Sequence, residues 1–183
     1  MKKVRLLLIT VALAAALVAV MAFAACGGEG KTTATLTATY VNGSTASNSY
    51  GGFDADTYQF NVYDDGSYVM VHTTVNYGYS MCLGTTVVTT YGTYKAGASV
   101  DGYTPYELSE ATRVVLNSYS RAGGYDIYVD TDTSTYPVEL PAENEGEKNM
   151  AQSKEDVINA YGQVMTVYVG ANAHTFELTD PTA

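Results

Sequence analysis

From Thr33 to Leu178 apolar residues tend to recur at every second position, the spacing of strands that bury one face. The clearest stretch is Thr57–Val71, TYQFNVYDDGSYVMV, in which Tyr58, Phe60 and Val62 fall on one side and Gln59 and Asn61 on the other. Asp64-Asp65-Gly66 is set to turn the chain, with Gly66 supplying the positive φ of a bulged hairpin. The returning strand runs from Ser67 to about Tyr77, with Val69, Val71, Val75 and Tyr77 on one face.

The same reasoning predicts strands over 33–41, 84–94, 103–108, 113–119, 125–130, 164–169 and 174–178, with a short irregular one at 136–140. Asn42–Asp56, which holds Gly43, Gly51, Gly52 and several Ser and Asn, reads as a long loop. Gly92 marks a bend, a bulge or a close backbone approach, and Pro105 an edge or an irregular strand start. Ala122-Gly123-Gly124 joins a second hairpin. Residues 141–149, with Glu143, Glu145 and Glu147, read as a solvated acidic loop. Ser153 caps a short helix that Gly162 closes.

These elements predict an all-β fold, an antiparallel meander of eight or nine strands with one short helix near 154–161, forming a single domain over 33–183. Such a sheet must cover its apolar face and manage its edges, and a β-barrel is preferred here over a β-sandwich. The strand count, the meander order and the helix before the last strands resemble lipocalin-like or avidin-like small barrels. The chain lacks the Gly-x-Trp that lipocalins often carry, since it has no Trp. That resemblance implies a cup for an apolar or amphipathic small molecule.

The N-terminus has a different pattern. Lys2, Lys3 and Arg5 precede twenty uncharged residues, Leu6–Ala25, long enough to span a bilayer or to serve as a secretory signal. Phe23-Ala24-Ala25-Cys26 resembles the lipobox of bacterial lipoproteins, with Phe23 where an aliphatic residue is usual. The resemblance implies that residues 1–25 are removed and that Cys26 carries diacylglycerol. Residues 26–32 then form a glycine-rich tether, and the domain lies on the outer face of the cytoplasmic membrane. Cys-Gly-Gly after the cut points to a Gram-positive envelope. A retained anchor helix and cleavage by a general signal peptidase are the alternatives.

Charge and composition narrow the function. Residues 26–183 carry six Lys plus Arg against nineteen Asp plus Glu, a formal net charge of −13, which repels nucleic acid. All seventeen Tyr and twenty-three Thr lie in this part, residues suited to a half-buried pleated surface. Cys82 is left without a partner for a disulfide once Cys26 is acylated, and reads as a small, partly buried hydrophobe.

Few residues offer catalysis. His72 and His174 lack metal-ligand spacing, Asp64 and Asp65 suit a turn better than a calcium loop, and no Gly-x-Ser-x-Gly elbow occurs. Gly27–Thr32 departs from the order of a phosphate loop. The expectation is therefore no enzyme, no cofactor, no metal and no catalytic residue, with Cys26 as the one site of defined chemistry. The expected partners are the membrane and a small amphipathic molecule, a glycan or an envelope protein, held by residues that the sequence does not assign. The alternative is a structural or protein-interaction lipoprotein of the envelope.

Overall fold

The hairpin expected around Asp64-Asp65-Gly66 forms, and its turn chemistry is visible. Gly66 has φ +79°, its N–H donates to the Tyr63 carbonyl at 3.2 Å, and Asp65 Oδ1 accepts from the Ser67 N–H at 2.9 Å. Asp64 Oδ1 accepts from the Thr35 N–H at 2.9 Å, and the Asp64 N–H donates to the Thr35 carbonyl at 3.0 Å, so the turn also pins the start of the sheet. The computed structural model describes residues 34–122, 125–132, 154–171 and 174–182. Cys26 with its leader and tether, the strand expected at 136–140, the acidic loop at 141–149, the cap Ser153 and the Gly123-Gly124 turn lie outside the described residues.

The strands are β1 (Leu36–Ser47), β2 (Phe53–Tyr63), β3 (Ser67–Gly78), β4 (Met81–Ala96), β5 (Tyr103–Leu108), β6 (Arg113–Ser120), β7 (Tyr125–Asp130), β8 (Met165–Gly170) and β9 (Phe176–Glu177). Among the described residues one helix, α1 (Lys154–Tyr161), lies between β7 and β8 in the chain. They form a single antiparallel sheet in the order β1-β2-β3-β4-β5-β8-β9, from which β6 and β7 branch at β4. Among the described residues no helix is long and apolar enough to cross a membrane.

The long loop read over Asn42–Asp56 is a correction. Pairing of β1 with β2 continues to Ser47 opposite Phe53, leaving a connection of only Asn48–Gly52. Gly43 weakens a strand by propensity, but here its bare backbone is used, because a Cβ would stand 3.0 Å from Thr57 Cγ2 and 3.2 Å from the Asp56 carbonyl. Asn48 Oδ1 then closes the short loop by accepting from the N–H groups of Tyr50 and Gly52, each at 3.1 Å. The β3–β4 turn is a two-residue one, with Tyr79 and Ser80 at φ 49° and 61°.

The sheet divides at Ser109–Thr112. Tyr94 faces Leu108 and Tyr91 faces Arg113, so two residues of β4 oppose four of the neighbouring chain. The Ser109 N–H donates to the Thr93 carbonyl and the Thr112 N–H to the Tyr91 carbonyl, at 2.9 and 2.8 Å, which anchors both sides of the bulge to β4. Beyond it β5 continues toward β8 and β9, while β6 pairs with β7. Pro105 sits one residue past the last β4–β5 pair, Ala96 with Tyr106; its carbonyl accepts from the Gly97 N–H at 2.8 Å, so its missing N–H lies on that side and not toward Tyr168 of β8.

One face of the sheet carries both apolar clusters. Phe60 (0 % exposed), Val62, Tyr68, Met70, Leu108, Val167 (0 %), Val169 and Phe176 (1 %) form the first, edged by Tyr40, Tyr58, Tyr94 and Tyr106. The second joins Val88, Val114, Leu116 and Val129 to Val157 of α1. Gly162 ends α1 by close approach and not by a left-handed turn. A Cβ there would lie 2.8 Å from the Ile158 carbonyl and 3.0 Å from Ala111 Cβ, and its own carbonyl accepts from the Ala111 N–H at 2.8 Å. Gly92 likewise lies against Tyr68, whose Cε1 would stand 2.7 Å from an added Cβ.

The two ends of the sheet meet without a continuous ladder. Val41 and Thr175 form one parallel bridge, the Val41 N–H donates to the His174 carbonyl at 2.9 Å, and Asn42 Nδ2 donates to the Phe176 carbonyl at 2.6 Å. Among the described residues the structure shows an antiparallel all-β meander with one short helix, and the sheet is not closed into the barrel that the sequence favoured.

Burial, a hydrogen bond with Tyr40 and the nearby Tyr40 and Tyr94 hydroxyls push the Tyr106 hydroxyl up from 10 to about 12. Between those values an unfolded chain has lost a proton that the folded chain keeps, so rising pH favours unfolding. The contribution to stability is complete below pH 10 and lost as pH passes about 12. Tyr58, Tyr63, Tyr68 and Tyr91 are shifted in the same direction and share the effect. Tyr106→Phe should therefore give a shallower fall of melting temperature over this window; equal slopes would show that the hydroxyl is not held neutral by the fold.

Candidate functional site

The face that bears the core changes character along its strands. At one end stand Tyr40, Phe60 and Met70 in one cross-strand row. The next row is Asn42, Tyr58, His72, Val88 and Leu116, where polar groups begin. Beyond it come Ser44, Asp56, Thr74, Thr86 and Ser118, and then Ala46, Asp54, Asn76 and Gly84. Register alone places these polar side chains together, since residues opposite one another across antiparallel strands share a face.

His72 is the centre of the first polar row. Its Nε2 stands 2.8 Å from Asp56 Oδ1, and its ring stacks on Tyr58 with centroids 4.0 Å apart and planes 5° apart. An ionised carboxylate only accepts, so Nε2 donates to Asp56. Burial and the charge of Asp56 push the Tyr58 hydroxyl above its ordinary value. The Asp56 side chain is 51 % exposed and that of His72 29 %, so the pair is open to solvent on one side.

A second group lies toward the Asn48–Gly52 loop. Asp54 Oδ1 accepts from Asn76 Nδ2 at 2.8 Å and from Asn48 Nδ2 at 3.2 Å. Asn76 Oδ1 is buried without a hydrogen-bond partner among the described residues, a state that costs about 1–3 kcal/mol. Thr86 Oγ1 and Ser118 Oγ are 2.9 Å apart in the middle row. The arrangement can accept and donate hydrogen bonds across half-buried rows that are most exposed at Ser44, Ala46, Asp54 and Asp56, with the two carboxylates biasing it toward donor-rich or cationic groups.

The other residues singled out in the sequence lie elsewhere. His174 precedes β9 and is exposed, separated from His72 by β1 and β2. Among the described residues no group of three or more His, Cys, Asp or Glu is placed to hold a metal. Cys82 is half-buried opposite Tyr77, its Sγ 3.3 Å from Thr85 Oγ1 and 3.6 Å from the Gly84 carbonyl. Asp64 and Asp65 serve the turn already described. On the opposite face Arg113 grips buried Asp130 through two bonds, Nε to Oδ1 at 2.9 Å and a terminal nitrogen to Oδ2 at 2.6 Å, with its guanidinium 5.1 Å from the Tyr91 ring centroid. This clamp ties the end of β7 to β6 and β4.

Asp56, His72 and Tyr58 were not distinguished as a site by the sequence. The signal was present in the hairpin turn: counting back from Asp64-Asp65-Gly66 sets Tyr58 opposite His72 and Asp56 diagonal to it. No family model, curated protein or solved structure matches the chain.

Proposed function

We propose that this chain is an extracytoplasmic lipoprotein, held on the outer face of a Gram-positive cytoplasmic membrane by diacylglycerol on Cys26. Its β domain is a non-catalytic binding module. Phe23-Ala24-Ala25-Cys26 after Leu6–Ala25 supports the anchor. The observation that carries the binding mode is the filling of the core: Phe60, Val167 and Phe176 are 0–1 % exposed, where an internal cup would need open walls. Recognition then falls to the polar rows around Asp54, Asp56 and His72, whose hydrogen-bonding chemistry suits a glycan or a small amphipathic molecule.

Cys26→Ser should abolish acyl labelling and release the chain from the membrane fraction while leaving its circular dichroism unchanged. Labelling equal to that of the unaltered chain would sink the anchor. For the binding module, native mass spectrometry of the detergent-released mature protein should show an added mass that denaturation removes. An Asp56→Asn/His72→Gln variant should lose that mass, and its retention would place the ligand elsewhere. An exposed strand edge favours a second reading, a protein-interaction lipoprotein of the envelope.

A further inference from the structure

The direction of the backbone groups along β1 follows from two hydrogen bonds. The Val41 N–H points away from β2, to the His174 carbonyl at 2.9 Å, whereas the Asn48 N–H points inward, to the Gly52 carbonyl at 3.2 Å. Between them the register runs without a shift, so residues in phase with Val41 point the same way. Gly43, Thr45 and Ser47 therefore turn three N–H and three C=O groups to the outer side of β1. β9 touches β1 at the Val41 bridge, and all residues from Gly43 to Ser47 are exposed.

Natural edges of this length carry charges, proline or a covering segment that discourage further pairing. β1 has no charged residue and no proline in LTATYVNGSTAS. We propose that the Gly43–Ser47 edge of β1 is a strand-addition site for an extended, cationic polypeptide segment. Main-chain bonds to Gly43, Thr45 and Ser47 supply the docking.

Charge selects the occupant. Asp54 and Asp56 of β2 stand opposite Ala46 and Ser44, on one face and both exposed. An added strand would lie two strand spacings from β2, roughly 10 Å, with only the short Ser44 and Ala46 side chains between. Lysine or arginine on that face of the added strand can reach across to the carboxylates. Asp54 is bonded by the neutral amides of Asn48 and Asn76, which leave its charge uncancelled. The formal net charge of −13 from Cys26 onward attracts such a segment and opposes a second copy of the chain on the same edge.

The site extends the interaction reading and is independent of Cys26, so failure of lipidation and failure of strand addition are read separately. The test is fluorescence anisotropy of a labelled, acetylated eight-residue peptide alternating lysine with valine, added to the full chain in detergent. Saturable, salt-sensitive binding is expected, weakened about tenfold or more by Thr45→Pro, which removes an outward N–H. Slowed amide exchange at Gly43, Thr45 and Ser47 should accompany it. A copy of the probe N-methylated at alternate residues cannot complete the ladder and should fail likewise, a control that leaves the fold untouched. No saturation, equal binding of the N-methylated probe, or equal binding of a glutamate–valine probe would overturn the proposal. So would sedimentation showing peptide-free dimers that protect the same amides, which would assign the edge to a second copy.

Discussion

Phe60→Ala is expected to lower the free energy of unfolding by about 3–5 kcal/mol. The ring is fully buried and meets four others, Tyr40, Tyr68, Tyr106 and Phe176, with centroids 5.8–6.1 Å apart. These partners come from β1, β3, β5 and β9, so the cavity left by truncation would open between strands far apart in sequence and would not easily collapse. A domain of ordinary stability has only about 5–15 kcal/mol in total, and the variant should be close to the threshold of folding. Urea unfolding reads the change as a lower midpoint at an unchanged slope. A loss below about 1 kcal/mol would mean that the sheet is not assembled around this ring.

Arg113→Ala should be the next most damaging change, at about 3 kcal/mol. Asp130 is only 4 % exposed and its two oxygens are gripped by the two-pronged guanidinium. Removing the cation leaves a desolvated carboxylate with far less to balance it, although the Asp132 N–H still donates to Oδ1 at 3.0 Å. Arg113→Lys keeps a charge but lacks the planar fork and the stacking surface for Tyr91, so it should recover only part of the loss. A double-mutant cycle with Asp130→Asn tests the cause. The two changes together should cost clearly less than their sum, and strict additivity would show that the pair is not coupled.

The parts of this fold legible in the sequence are those decided locally. Tyr58, Phe60 and Val62 alternate with Gln59 and Asn61, and a short turn returns the chain beside them, so β2 and β3 follow from periodicity and turn chemistry alone. The helix at Lys154–Tyr161 and the strand at Tyr125–Asp130 were equally visible. The second half of β1 was not, because Gly43, Ser44 and Ser47 are poor strand formers by themselves. Their strand state is imposed by the register that β2 offers, down to the contact of Gly43 with Thr57. The division at Ser109–Thr112 was hidden for a related reason: nothing local in Ser109-Glu110-Ala111-Thr112 states that Tyr91 and Tyr94 must both keep partners across it. The polar rows needed one step more, the register of β2 on β3 extended outward to β4 and β6.

The contact between the first and last strands also bears on the order in which the chain becomes native. β1 to β4 join by connections of a few residues and form through nearby contacts, whereas the Asn42–Phe176 hydrogen bond spans 134 residues. Closing so long a loop costs entropy before any packing rewards it, and contacts of this kind slow folding. Until β9 is in place Phe60 lacks Phe176, one of the four rings that surround it. The contact of β9 with β1 is therefore expected to be among the later ones to form, with the first four strands as its template and the two-residue β9 as its latch.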